Sequence, residues 1–358
     1  MASRRVLLVI GQLGGGGAER QLVNFLRHAG AAVEVHALVL HPRDIWMDEL
    51  RELASELSIS RFRSPLLRIV EFLEVLRDAR PEIVHCWHTF PVVYAALSKP
   101  IHRVPVVVNI RGDITRDPRT AEPRRYGYTR FLRWADVAVS NSRHSLNRLE
   151  EARVRLPRTE VIPNGIELPP RAPRPAASST FRVIGIGSLK PLKNWTQLLE
   201  SCAALAREGH AVAPKILGEG DQRAELEELC RRLGFDPRLV LPGFSTHPGE
   251  ALASADLLVH CSLSEGMPNA VLEGLAAGLP VLASDLDICR ELAGQGEGIE
   301  LFPVGDDAAC SRALGGLMRD PQRRAAMGSG GRELVRTRFT GAAMARRYLE
   351  LYEELLAR

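Results

Sequence analysis

The stretch CSLSEGMPNAVLEGLAAGLPVLASD, residues 261–285, combines the end of a strand, a loop, a helix and a second strand. Pro268 is acceptable in the first turn of a helix, and Gly278 is a typical residue at a helix end. The apolar run LPVLAS that follows is typical of a parallel strand buried on both faces. This order predicts Glu265 in the loop at the carboxyl edge of a sheet and Glu273 in the second turn of the helix.

The alternation of strands and helices continues on both sides of this unit. The chain opens with an unbroken apolar run, RVLLVI at 5–10, and a glycine-rich turn and a helical pattern follow it. We predict further strands in the segments AVEVHALVL, EIVHCW, VPVVVNI, ADVAVSN, FRVIGIGSL, APKILGEG, LVLPGF (239–244) and DLLVHCS. Strands that alternate with helices in this way are typical of open parallel sheets.

Several prolines interrupt both periodicities at 168–180, which we interpret as a linker between two domains. The predicted fold class is α/β, with two Rossmann-like domains that face each other across a cleft. We place the N-terminal domain at 1–170, the C-terminal domain at 171–340 and an amphipathic helix at 341–358. That helix could pack on either half of the chain, and one of the two options is that it packs back on the N-terminal domain.

The composition excludes several classes of protein. Of the 358 residues, 45% are hydrophobic and 25% are charged, as in a globular protein rather than a disordered one. No apolar run approaches the roughly 20 residues needed to span a bilayer, and the first residues do not form a convincing signal peptide. The six cysteines form no CxxC pair, which favours reduced thiols over disulfides or zinc. We therefore expect a cytoplasmic protein.

The two halves of the chain carry opposite net charge. Residues 1–175 contain 27 Lys and Arg against 19 Asp and Glu, a net charge of +8, whereas the remainder contains 20 against 24, a net charge of −4. A basic half can attract nucleic acid, an anionic membrane or phosphorylated small molecules, and charge alone does not choose among them. The seven arginines at 111–134 could equally be solvated loop and helix residues.

The two acids of the opening stretch indicate a ligand with hydroxyl groups. A carboxylate accepts hydrogen bonds from two hydroxyls at once, and the amides of a helix N-terminus suit a phosphate or a sugar hydroxyl. One acid could therefore hold a ribose and the other a transferred sugar. The alternative for Glu273 is an exposed helix acid, although its neighbours in the sequence are apolar.

SEGMPNAVLEGLAAGLPVLASD at 264–285 resembles the acid, seven residues, acid motif of the retaining glycosyltransferases of family 4, which have the GT-B fold. The resemblance covers essentially the whole chain, and the ordered set of motifs is more specific than any one member. The further motifs are GGAERQLVNFL, VSNS, VIPNGIE, GIGSLKPLKN and LGEGDQRAELEEL.

The resemblance implies that the C-terminal domain binds a nucleotide-diphosphate sugar. It implies that Glu273 holds the ribose hydroxyls and that Glu265 contacts the sugar near the reacting centre. The loop amides, those of Gly266, Met267 and Asn269 among them, would face sugar hydroxyls and phosphate. Lys193 lies where the family uses a cation against the diphosphate. Ser188 stands where many relatives have Arg, and Lys190 is a substitute for that cation or a solvated turn residue.

In the N-terminal domain the resemblance implies that a glycine turn approaches the diphosphate, with Gly15, Gly16 and Gly17 as candidates. It places a histidine beside the transferred sugar. We choose His88, with His85 as the alternative and a hydrogen-bonded structural histidine as a third interpretation. Arg111 follows a predicted strand and could contact phosphate or acceptor.

The resulting prediction is a retaining glycosyltransferase that uses a UDP-sugar in preference to a GDP-sugar. The acceptor would be a hydroxyl of a lipid-linked glycan or polysaccharide, with no nucleic acid partner. Peripheral contact with an anionic membrane, at its inner face, would suit the basic half. We expect no metal cofactor and interpret Asp285 and Asp287 as loop residues. The alternatives are an epimerase of the same fold, a catalytically silent binding module and, on the glycine run alone, a nicotinamide oxidoreductase.

Overall fold

The computed structural model describes residues 3–14, 16–42, 44–112, 114–115, 127–170 and 179–358. Gly15 and most of the arginine-rich segment 111–126 lie outside the described residues. Contacts between residues divide the chain into two units. The first unit holds the described residues up to Gly165 together with Gly341–Arg358, and the second holds those of Ile166–Thr340.

Each unit is built on one parallel sheet. The first sheet has seven strands in the order β3-β2-β1-β4-β5-β6-β7, and the second has five in the order β12-β11-β10-β8-β9. The strands are β1 Arg4–Ile10, β2 Val33–Val39, β3 Glu56–Ile59, β4 Ile83–Cys86, β5 Val106–Ile110, β6 Val137–Ser140, β7 Arg158–Val161, β8 Phe181–Ile186, β9 Val212–Leu217, β10 Leu257–His260, β11 Val281–Ser284 and β12 Ile299–Phe302. The predicted pair of Rossmann-like α/β domains is confirmed.

Helices cover both faces of each sheet. They are α1 Gly17–Ala29, α2 Met47–Leu53, α3 Pro65–Ala79, α4 Val92–His102, α5 Arg143–Glu151, α6 Trp195–Arg207, α7 Arg223–Leu233, α8 Pro237–Val240, α9 Gly249–Ala253, α10 Asn269–Ala276, α11 Asp287–Ala293, α12 Asp307–Arg319, α13 Pro321–Arg338 and α14 Gly341–Leu356. In the first unit α1, α2 and α14 bury one face of the sheet, and α3, α4 and α5 bury the other. None of the described helices is long and apolar enough to cross a membrane.

One predicted strand is wrong. LVLPGF at 239–244 was expected to be a strand, but the chain forms the short helix α8 and then only an isolated bridge between Leu217 and Gly243. The Asp236 carboxylate accepts the amide of Arg238 at 2.9 Å and caps the helix, with Pro237 at its first position. This Asp-Pro start signal outweighs the β propensity of the apolar residues.

The C-terminal helix α14 lies in the first unit, where it packs against α1. The hydroxyl of Tyr348 donates to Asn109 Oδ1 at 3.1 Å, and the hydroxyl of Tyr352 lies 2.6 Å from His85 Nδ1. Both tyrosines are fully buried. At Gly341 a Cβ atom would lie 2.3 Å from the ring of His28 and 2.7 Å from Asn24 Oδ1, so a larger residue would force these side chains of α1 to shift.

Candidate active site

In the second unit the sheet order reverses between β8 and β10, and the carboxyl ends of these strands meet at that point. Ligands of open α/β sheets bind at such a switch point. The turn after β8 leads to Lys193, and the loop after β10 leads to Glu265. The topology therefore brings together two predicted site residues that lie 72 positions apart in the chain.

Glu265 is the centre of a polar cluster at this edge. Its Oε1 accepts from Ser262 Oγ at 2.8 Å, forms an ion pair with Lys193 Nζ and lies 3.3 Å from His260 Nε2. Burial by itself would raise the pKa of Glu265, but the charge of Lys193 and the neighbouring His260 hold that pKa well below its usual range. None of the described hydrogen bonds reaches Oε2. Glu265 is thus an ionised acceptor with one oxygen available.

The turn that carries Lys193 is fixed by close backbone contacts. The Leu189 amide donates to Glu219 O at 2.8 Å, and a Cβ at Gly218 would lie only 1.8 Å from Gly187 O. Lys193 was predicted to face a diphosphate, and here its ammonium group pairs with Glu265. Lys190 is exposed and forms no ion pair with any residue that the structure describes. The two lysines are therefore not equivalent.

The helix α10 carries the second acid of the motif. Glu273 is only 5% exposed, so the interpretation as an exposed helix acid is wrong. The helix lies close to β10, because a Cβ at Gly274 would come within 2.8 Å of Leu258 Cδ1. Pro268 lies at the N-cap, just before the first turn in which it was predicted. Gly278, which was predicted to end the helix, has a positive φ of 76°. In the preceding loop Gly266 and Met267 are buried, and Asn269 at the helix start is partly exposed.

In the first unit the corresponding switch lies between β1 and β4. Gly11 follows β1 and His88 follows β4, and the amide of Gly11 donates to His88 Nδ1 at 3.2 Å. The glycine turn ends at α1, with Gly16 as the N-cap and Gly17 as the first helical residue. The structure thus brings His88 beside the turn that holds Gly16 and Gly17.

The structure separates the two histidine candidates. His85 is completely buried under α14 with Tyr352, and burial lowers its pKa to about 3, so the ring is neutral. His88 lies beyond the end of the strand, and its side chain is partly buried. The geometry therefore favours His88 as the histidine at the edge and gives His85 a packing role.

Arg111 is engaged within the first unit. Its guanidinium donates to Asn164 Oδ1 at 2.7 Å and to the Tyr348 hydroxyl at 3.0 Å, and its Cζ lies 4.6 Å from the centre of the Trp87 ring. Burial lowers the pKa of Arg111, while Tyr348 and Glu19 oppose that effect. These contacts hold Arg111, which follows β5 and was predicted to contact phosphate or acceptor, against α14.

Three residues of these clusters were not predicted from the sequence: Glu19, His260 and Ser262. All three lie inside motifs already quoted, but nothing in their spacing shows that their side chains reach Glu265 or His88. Among the residues that the structure describes, no group of three or more His, Cys, Asp or Glu side chains is placed to hold a metal ion. All six cysteines are buried free thiols, as predicted.

Comparison with known proteins identifies the family. Residues 171–334 match the family model described as "Glycosyl transferases group 1", and residues 15–168 match "Glycosyltransferase Family 4". The chain is 27% identical to the lipopolysaccharide core biosynthesis glycosyltransferase LpsD of Rhizobium meliloti over 358 residues, which cover 96% of each chain. It is 26% identical to LpsE of the same organism over 94% of this chain and 95% of that protein.

A solved structure shows the same fold. The crystal structure of Anabaena Alr3699/HepE in complex with UDP and glucose is similar with a TM-score of 0.84 and 18% sequence identity, over 98% of this chain and 100% of that chain. The two family models together span both units of the chain, and the fold is that of GT-B enzymes. The chain is therefore an enzyme and belongs to glycosyltransferase family 4, of the GT-B type.

Proposed function

We propose that this enzyme transfers the sugar of a UDP-sugar to a hydroxyl of a lipid-linked glycan or polysaccharide, with retention of the anomeric configuration. The second unit binds the donor and the first unit binds the acceptor. The observation that carries the proposal is the ion pair of Lys193 and Glu265 at the switch point of the second sheet, with Glu265 eight residues before the buried Glu273 in the sequence.

The cluster suits the charge changes of sugar transfer. Negative charge develops on the departing diphosphate, and a positioned cation stabilises it. Lys193, which is paired with Glu265, supplies that cation. The exposed Lys190, in the same turn after β8, adds a second one. Glu265 remains ionised, so its Oε2 accepts a sugar hydroxyl rather than donating a proton. We propose that these side chains make a metal cofactor unnecessary.

Names of similar proteins support the choice of donor and acceptor. LpsD and LpsE are named as lipopolysaccharide core biosynthesis glycosyltransferases, and HepE was crystallised with UDP and with glucose. Retention follows from the family that the motif resembles. Its direct readout is the configuration of the anomeric carbon in the product, measured by NMR coupling constants.

We also propose peripheral contact with an anionic membrane through the outer faces of α3 and α4. Leu66, Val70 and Ile101 are large apolar residues that are 76%, 54% and 71% exposed. Arg63 before α3 and Arg103 after α4 are exposed as well. Apolar side chains flanked by arginine fit the interface of an anionic bilayer, and the first half of the chain carries a net charge of +8.

Thermal unfolding with UDP, GDP, ADP and NAD tests the donor site. A nucleotide at about 100 times its Kd stabilises the fold by roughly 2.7 kcal/mol. We expect UDP to raise the midpoint of the wild type and of Glu250→Ala, a control at an exposed acid of α9, but not of Glu273→Ala. Stabilisation by NAD alone, or by none of the four, would contradict the proposal. Release of UDP that requires an acceptor then separates transfer from epimerisation and from silent binding.

A further inference from the structure

Glu19 is a buried carboxylate in the first turn of α1, and the proposed function does not use it. It is 3% exposed, although an acid in the first turn of a helix ordinarily points to solvent. Instead the side chain reaches back along the chain, and its Oε1 accepts from the amide of Gly14 at 3.3 Å. A Cβ at Gly16 would lie 2.5 Å from its Oε2. One carboxylate oxygen is therefore hydrogen-bonded to the glycine turn, and the other lies close against it.

His88 faces the same carboxylate from the other side. The amide of Gly11 donates to His88 Nδ1, so Nδ1 carries a lone pair and the ring proton of the neutral imidazole lies on Nε2. Nε2 lies 3.7 Å from Glu19 Oε1. It is buried and has no hydrogen-bond partner among the described residues. A buried donor without a partner is costly, and the carboxylate of Glu19 is the acceptor that faces it.

These contacts connect the glycine turn to the histidine through one side chain. A shift of the turn moves Glu19, because the Gly14 amide donates to its Oε1 and Gly16 lies close against its Oε2. A shift of Glu19 in turn changes the environment of the His88 Nε2–H. The pair lies at the switch point between β1 and β4, where ligands of this kind of sheet bind.

We propose that Glu19 is a positioning residue, which keeps His88 in its Nε2–H tautomer and fixes the orientation of the imidazole ring beside the substrate. The inference rests on the proposed function, a sugar transfer for which the family resemblance implies that His88 lies beside the transferred sugar. A purely structural Glu19 would only close the glycine turn. Only the positioning role requires the negative charge of Glu19. The structural role does not, because an uncharged acceptor satisfies the Gly14 amide equally well.

Glu19→Gln tests this difference, since glutamine retains an acceptor for Gly14 and removes the charge. We expect kcat to fall about tenfold, the donor KM to stay within about twofold, and no further loss when Glu19→Gln is added to His88→Gln. Glu34→Gln, at an exposed position of β2, is the matched control and should retain wild-type kinetics. Wild-type kinetics of Glu19→Gln, or equal losses with and without His88, would overturn the proposal.

The ¹⁵N NMR signals of the His88 ring provide a readout that does not depend on activity. We expect a protonated Nε2 and an unprotonated Nδ1 in the wild type, and a changed Nε2 signal in Glu19→Gln with thermal stability retained. An unchanged ring spectrum in Glu19→Gln would refute the positioning role. If the spectrum responds but no sugar is transferred from any donor, the proposed function fails and the coupling of Glu19 to His88 stands.

Discussion

At the scale of single residues, the neighbours of an ionisable group decide its state. Glu265 and His85 both lie where burial disfavours charge. Glu265 remains charged because Lys193 pairs with it. His85 has no such counter-charge: burial and the positive charge of Arg111 lower its pKa, and the ring stays neutral. One group is therefore suited to hold a polar ligand and the other to pack inside the unit.

Replacing Lys193 tests how Glu265 is kept ionised. In Lys193→Met the charge of the lysine is gone, and burial is opposed only by His260, so the pKa of Glu265 should rise. A group with a lowered pKa loses its charge as pH falls through that value, so the acid limb of kcat/KM should move to higher pH. We expect a shift of about 1–3 pH units. Lys215→Met, at an exposed position of β9, is the control, and an unmoved acid limb in Lys193→Met would contradict this account.

At the scale of secondary structure, most strands and helices could be predicted because their periodicity is local. The apolar run of β1 is buried on both faces, and the glycine after α10 ends that helix as expected. The strand predicted at 239–244 was wrong because a capped helix start competes with the same apolar residues. Local patterns do not show how loops from distant segments pack against each other. The close packing of Gly218 against the backbone of Gly187 is one such contact.

A pair of glycine substitutions tests the packing of the loop that carries Lys193. Gly218→Ala would place a Cβ 1.8 Å from Gly187 O, and we expect a loss of about 1–3 kcal/mol in the free energy of unfolding. Gly316 lies in α12 with open space around its Cα. Gly316→Ala should therefore stabilise the fold by about 0.5–1 kcal/mol. Urea unfolding measures both, and equal effects of the two substitutions would refute the close-packing argument.

At the scale of the whole chain, sequence order and spatial grouping differ. The final helix α14 belongs to the first unit, although about half of the chain separates it from the sheet that it covers. Its ion pairs include Arg4 with Glu353 at 2.7 Å and Arg158 with Glu354 at 2.6 Å. The basic first half also carries the exposed apolar faces of α3 and α4.

Vesicle co-sedimentation tests the membrane contact. We expect binding that increases with the anionic lipid content of the vesicles, because the positive first half adds to the insertion of apolar side chains. Leu66→Ser combined with Val70→Ser should reduce binding severalfold. Leu239→Ser is the control, since Leu239 is 70% exposed but lies in the second unit. Binding that is independent of anionic lipid, or equally reduced by the control, would exclude this surface.

The sequence by itself determined the α/β architecture, nine of the twelve strands that the structure describes and the position of Glu265 at a carboxyl edge. These features follow from apolar periodicity and from turn residues, which act over a few positions. Only the tertiary structure decided that His85 is buried, that Arg111 is held by Asn164 and Tyr348, and that Lys193 meets Glu265. Each of these depends on side chains far apart in the chain, whose meeting is set by strand order and helix packing rather than by local pattern.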